Sequence, residues 1–181
     1  MPQRVGVFCG SQSGNGDRYI ETAILTASRI VQRGCGIVYG GGRVGLMGVL
    51  ADTALAAGGE VIGVIPEALA GKEIAHGGLT ELHVVTSMHE RKALMADLSD
   101  AFVALPGGFG TMDEFCEILT WAQLRIHDKP VGLLNAYGYF DDLIALFDNM
   151  VSEGFVTPRN RTLVRSAGTI DELLDSLLPV G

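Results

Sequence analysis

Basic residues are scarce in this chain: 13 lysines and arginines face 21 aspartates and glutamates, for a net charge of −8 over 181 residues. With no basic cluster, a general nucleic-acid binder is excluded, because phosphate backbones are held by grouped Lys and Arg. A local basic site for one small anion is still allowed. No apolar run approaches the ~18 residues that a membrane span needs, so no membrane partner is expected. Cysteine is sparse as well. Cys9, Cys35 and Cys116 form no C-x-x-C pair, which excludes a disulfide framework and favours a reduced, cytoplasmic protein with buried cysteines. His76 and His89 have no partners at metal-ligand spacing, so no metal is expected. Met1-Pro2-Gln3 leads straight into a strand pattern, with no signal peptide. The dinucleotide fingerprint G-x-G-x-x-G is missing, so NAD is not favoured.

What the chain has in quantity is glycine, 25 residues, set among aliphatic runs. Its length suits one domain over residues 1–181. Strands are expected at Arg4–Cys9, Cys35–Tyr39, Glu60–Ile65, Thr80–Thr86, Ala101–Leu105 and Lys129–Leu134, each a short apolar run. Helical patterns lie between them. The first is capped by Asp17 and buries Ile20, Ala23, Ile24, Ala27 and Ile30 before Gly34 ends it. Others run on to Ala57, from a Ser87–Glu90 capping box to Leu98, from a Thr111–Glu114 capping box, and over Tyr139–Glu153. The tail has an apolar segment at Thr162–Val164 and a last helix at about Thr169–Leu178. This alternation predicts an α/β fold, a three-layer, Rossmann-like, doubly wound domain with a mostly parallel sheet.

In such sheets ligands gather beyond the C-terminal strand ends. Three glycine-rich loops leave those ends: 10–16, with Gly10 and Ser11; 40–48, with Gly41 and Gly42; and 106–110. Three consecutive glycines at 40–42 are hard to explain by packing. The stretch Asp100–Gln123 organises the rest, because strand, Pro106-Gly107-Gly108-Phe109-Gly110 turn and helix N-terminus together present backbone N–H groups to a phosphate. Glu114 has two readings there, a capping-box residue or an acid with a task of its own. Arg91 also has two, a surface cation or a partner for an anion; Lys92 beside it likewise opposes the macrodipole. Glu73 lies in the long 66–78 connection, the length of which favours function. Thr120 follows Glu114 by six residues and so faces another way. Both serve ligands only if the helix lies between two sites, as at a dimer interface.

Pro106-Gly107-Gly108-Phe109-Gly110-Thr111-Met112-Asp113-Glu114 resembles the P-G-G-x-G-T-x-x-E signature of the Lonely Guy family, the cytokinin riboside 5′-monophosphate phosphoribohydrolases. The likeness extends to Phe8–Ser11, Val38–Gly48, Met88–Lys92, Thr120–Leu124 and His127–Gly132, which is nearly the whole chain in order. It implies a Rossmann-like homodimer, with sites near its interface, that hydrolyses the N-glycosidic bond of a nucleoside 5′-monophosphate substrate. Free base and ribose 5-phosphate are the products, and no metal or redox cofactor is needed. It also implies Arg91 and Glu114 as the catalytic pair, with substrate contacts at Glu73, Lys92, Thr120 and the run Gly107, Gly108, Phe109, Gly110, Thr111, Met112, Asp113. Phe109 stands where the family often has tyrosine. The competing readings are a non-catalytic nucleotide sensor or carrier and a pyridoxal phosphate decarboxylase. The latter needs a Schiff-base lysine from only Lys72, Lys92 and Lys129.

Overall fold

The computed structural model describes residues 3–70 and 75–178. Glu73 and Lys72 therefore lie outside the described residues. Seven strands form one sheet: β1 (Arg4–Phe8), β2 (Gly36–Tyr39), β3 (Val61–Pro66), β4 (Glu81–Val85), β5 (Ala101–Ala104), β6 (Val131–Leu134) and β7 (Val164–Ala167). Their order is β4-β3-β2-β1-β5-β6-β7, and every pairing is parallel. Apart from Arg4 at the start of β1 the central strands are buried, as continuous apolar runs require, while the edge strands β4 and β7 are partly exposed.

Alternation along each strand feeds two cores. Val5, Val7, Ile37, Tyr39 and Val103 face α1 (Arg18–Gln32), α2 (Gly45–Ala56) and α8 (Ile170–Leu177). Phe8, Val38, Ile62, Phe102 and Leu133 face the helices α4 (Met88–Leu98), α5 (Phe109–Gln123) and α6 (Asp141–Ser152) on the other side. Two short helices, α3 (Glu67–Leu69) and α7 (Pro158–Arg161), complete the set. Among the described residues no helix is long and apolar enough to cross a membrane.

The chain winds outward from β1 to β4 and then returns to place β5 on the other side of β1. Strand order thus reverses between β1 and β5, and the loops after them part to leave a crevice at their C-terminal ends. Gly10 N donates to the Pro106 carbonyl (3.3 Å), and Leu46 N donates to the Gly10 carbonyl (3.1 Å). All three glycine-rich loops are drawn together in this way.

Several expectations are corrected. A seventh strand, β7, grows from the apolar segment that the sequence offered as Thr162–Val164; its exposed Arg165 and Ser166 hide the pattern. Pro66 is the last residue of β3 rather than a stop before the loop. In α1 the buried stripe is Tyr19, Ala23, Thr26, Ala27 and Ile30, while Ile24 is exposed, because the helix presents its 19–23–26–30 face. Asp17 occupies the N-cap of α1 without a side-chain bond. Cys9 and Cys35 are buried, but Cys116 is exposed on the outer face of α5. The helix expected from Tyr139 is preceded by a 3-10 turn, Ala136–Gly138, and starts properly at Asp141.

Candidate active site

The crevice holds a cavity of about 690 Å3, lined by all three loops and by Arg91, Thr111 and Glu114. Its most telling feature is a missing cap. The T-x-x-E pattern predicts that Thr111 opens α5, yet the N-cap is Gly108 and no side chain bonds the first turn. Thr111 is already inside the helix and buried, and Glu114 turns away toward Arg91. The first-turn N–H groups of α5 have no intrahelical acceptor and remain open to the cavity. Helix α2 also starts without a side-chain cap, at Val44 and Gly45, which line the same cavity. Two helix N-termini with their positive ends therefore meet one hollow. The Ser87 box on α4 forms only in half: Ser87 Oγ accepts from Glu90 N, while the Glu90 carboxylate accepts from Thr86 N and Oγ1.

Arg91 and Glu114 approach across the crevice, Nη2 to Oε1 at 3.2 Å. Only 9% of Arg91 and 7% of Glu114 is exposed, so both charges are largely desolvated. Arg91 is held by backbone as well: Nε donates to the Val64 carbonyl (3.1 Å) and Nη2 to the Gly40 carbonyl (3.4 Å). Among the described residues its Nη1 meets only the Met88 sulfur (3.7 Å) and is the least committed corner. Burial pushes the Glu114 carboxyl above the ordinary carboxylate range, against the opposing pull of Arg91. The buried Cys9 thiol at the cavity wall is also pushed up by burial, then by the charge of Glu114, so it is a poor nucleophile.

Gly40 and Gly41 turn out to have packing and backbone reasons. A Cβ on Gly40 would stand 2.0 Å from Arg91 Nη2, so only glycine admits the guanidinium. Gly41 has φ +72 and packs against Ile65 and Leu82, and the Gly42 carbonyl accepts from Tyr39 Oη (3.0 Å). Gly42 still faces the cavity, whereas Gly41 does not line it.

Of the other expected residues, Ser11, Gly108, Phe109 and Gly110 line the cavity. Gly10 and Gly107 line a smaller neighbouring hollow of about 240 Å3 with Tyr19 and Tyr139. There the Tyr139 hydroxyl donates to the Gly107 carbonyl (2.6 Å). Met112 packs into the core beside α4 and α5, and Asp113 is on the surface, bound to Lys92. Lys92 Nζ sits between Asp113 (3.0 Å) and Glu117 (2.8 Å) and clamps α4 to α5. Thr120 is exposed on another face of α5, where its hydroxyl donates to the Cys116 carbonyl; it borders an apolar hollow with Leu119, Phe147 and Met150. The sequence reading missed Gln12, Ser13 and Met47 as lining residues, and Gly40 as the seat of Arg91. Their loops were visible, but only the fold shows which of their residues turn inward. Among the described residues no group of His, Cys, Asp and Glu is arranged to hold a metal.

A family model described as possible lysine decarboxylase matches residues 47–177. The chain is 53% identical over 171 residues to a probable cytokinin riboside 5′-monophosphate phosphoribohydrolase of Oryza sativa subsp. japonica, covering 94% of this chain and 77% of that one. It is 48% identical over 175 residues to a cytokinin riboside 5′-monophosphate phosphoribohydrolase of Arabidopsis thaliana, covering 97% and 82%. Among solved structures, a molybdenum cofactor binding protein from Rippkaea orientalis superposes with a TM-score of 0.74 at 22% identity, covering 98% of both chains. The molybdenum cofactor carrier protein of Chlamydomonas reinhardtii gives 0.73 at 22%, covering 99% of this chain and all of that one. These last two share the fold.

Proposed function

The chain belongs to the Lonely Guy family of cytokinin riboside 5′-monophosphate phosphoribohydrolases, and from that premise we propose how its cavity does the family's work. It hydrolyses the N-glycosidic bond of an adenosine 5′-monophosphate with or without an N6 substituent. The C1′–N bond breaks, water adds its hydroxyl to C1′, and the base leaves with the proton. The observation that carries this reading is the desolvated Arg91–Glu114 pair beside two helix N-termini that lack a side-chain cap. A sensor or carrier would need the anion cradle but not a buried acid with a raised pKa.

The 5′-phosphate binds at the open first turn of α5, with the N-terminus of α2 opposite. This leaves the ribose within reach of Glu114. Its carboxylate stabilises positive charge at C1′ and accepts from the ribose or from the attacking water. Arg91 positions Glu114 and offers Nη1 to the substrate. Decarboxylase chemistry does not fit: Lys92 is spent on Asp113 and Glu117, and Lys129 Nζ donates to the Ala96 carbonyl at 2.7 Å. Neither lysine lines the cavity, and Lys72 lies outside the described residues.

The enzyme works as a cytoplasmic homodimer with its sites near the interface. The apolar hollow around Thr120 and the exposed Phe155 and Leu146 nearby in sequence to its α6 wall support a contact between copies on the α5–α6 face. That contact gives Thr120 its place near a partner's cavity. Free thiols, including exposed Cys116, support a reducing compartment. Size-exclusion chromatography with light scattering should show twice the monomer mass; a monomer at working concentration removes the dimer from this account.

Incubation with AMP and with N6-isopentenyl AMP, followed by chromatography, tests the reaction. Free base should appear from at least one of them, and its absence from both, with nucleotide still bound, returns the protein to the carrier reading. Gly40→Ala offers a finer check. Its methyl displaces the Arg91 guanidinium without touching Glu114, so turnover should drop roughly 100-fold while the overpacking costs about 1–3 kcal/mol of stability. Wild-type turnover in this variant would show that the guanidinium's seat does not matter.

A further inference from the structure

At the far end of α5 from the Arg91–Glu114 pair lies a groove of about 1020 Å3, formed by the helix end, residues 125–130, α7 and the start of β7. In a chain of net charge −8 it gathers four cations, Arg125, Lys129, Arg159 and Arg165, together with His127. Among its described lining residues Asp128 is the one carboxylate.

Structural duties account for two of the cations. Lys129 Nζ caps the end of α4 through the Ala96 carbonyl, and Arg165 Nη1 donates to the Ser176 carbonyl. Arg161, just outside the groove, is held by Asp148 at 2.6 Å. Arg125 and Arg159 differ, because among the described residues their side chains have no ion pair and no hydrogen bond. Arg125 is also one of two described non-glycine residues at positive φ, +60. It stands just past the end of α5, where glycine is the usual occupant. A cation there often serves the helix dipole. Here that need is already met, since Thr120, Trp121 and Ala122 carbonyls accept from the backbone N–H groups of Leu124, Ile126 and Arg125. A long charged side chain in a disfavoured conformation, with no partner among the described residues, is an outlier of the kind that points to a ligand.

We propose that this groove is a second anion site, for a small molecule bearing two or more phosphate groups. Guanidinium forks bind phosphate oxygens in pairs, and two uncommitted forks beside two further cations match a polyphosphate better than a single carboxylate. The groove is at the upper end of the roughly 300–1,000 Å3 range of small-molecule sites. The net negative charge of the chain sets a nucleic acid against it. This site is separate from the proposed reaction and does not depend on it.

The test is calorimetric titration of the full chain with inorganic tripolyphosphate, using wild type, Arg125→Gly with Arg159→Ala, and Glu114→Gln. Glycine suits the backbone at position 125, so the double variant should fold at least as well as wild type. Its affinity should fall at least about tenfold, while Glu114→Gln should bind as wild type does. No binding by wild type at about 1 mM overturns the proposal. So does equal affinity in the double variant, which would put the ion elsewhere, as in the cavity beside Glu114.

Discussion

Glu114→Gln should lower the release of free base by about 1,000-fold or more, the range that one positioned acid, base or electrostatic partner supplies. Nucleotide binding should fall far less, because the phosphate is held by the backbone of α5 and α2. The side chain keeps its size, so the cavity keeps its shape. The charge that faces C1′ is lost. The same group sets a pH signature. Burial raises the Glu114 carboxyl above its ordinary value of 4.5. If the ionised form works, turnover is lost as pH falls through that raised value, so the acidic limb lies higher than a solvated glutamate would put it. Stability runs the opposite way. Between 4.5 and the raised value the folded chain binds the proton that the unfolded chain has released. This contribution is fully present below 4.5 and disappears as pH rises through the folded value. Urea midpoints against pH should show that slope in wild type and not in Glu114→Gln. A Gln variant with wild-type kcat would refute the catalytic role, and an unchanged slope would remove the titration from Glu114.

Arg91→Met should cost more in stability than any other change at the site. It leaves Glu114 buried at 7% exposure without its counter-charge, and it strips the Val64 and Gly40 carbonyls of their donor. Breaking a buried pair from one side typically costs about 3–5 kcal/mol. In a chain of this size that is a fall of roughly 10 °C in Tm. The loss should be smaller at pH 5 than at pH 8, since an unpaired buried carboxyl takes up a proton rather than stay charged. Turnover should vanish with it, as Glu114 loses both position and charge state. The double variant Arg91→Met with Glu114→Gln separates the two effects: it should regain much of the stability and none of the activity. If the single variant melts like wild type at pH 8, the pair is not structurally coupled as its 3.2 Å contact indicates.

Much of this was legible in the residues alone. Apolar runs broken by glycine and separated by helical periodicity imply a parallel sheet with helices on both faces, because each short run must bury both its sides. The stretch Ala101–Glu114 pointed to the crevice that the fold opens between β1 and β5, and Arg91 stood out as a cation near a helix start. The apparent capping box at Thr111 misled for a definite reason. A T-x-x-E spacing marks a helix start only if Thr takes the N-cap, and at Thr111 the preceding turn had already closed into helix at Gly108. Edge strand β7 was hidden by the polar Arg165 and Ser166, since an edge is only half buried.

The sequence by itself determined the elements, their order and the loops rich in glycine, because these follow from local propensity and burial period. Which chemistry-bearing side chains meet was decided only by the tertiary structure. Arg91 and Glu114 are 23 positions apart, and Gly40 is 51 from Arg91. They are neighbours because the chain leaves β1 in one direction and returns beside it as β5, bringing α4 and α5 over the same strand ends. The long-range return also spends some residues on packing, such as Lys92 between Asp113 and Glu117, and leaves others, such as Arg125, without a partner among the described residues. No local pattern distinguishes those two fates, because they depend on which surfaces the sheet order places together.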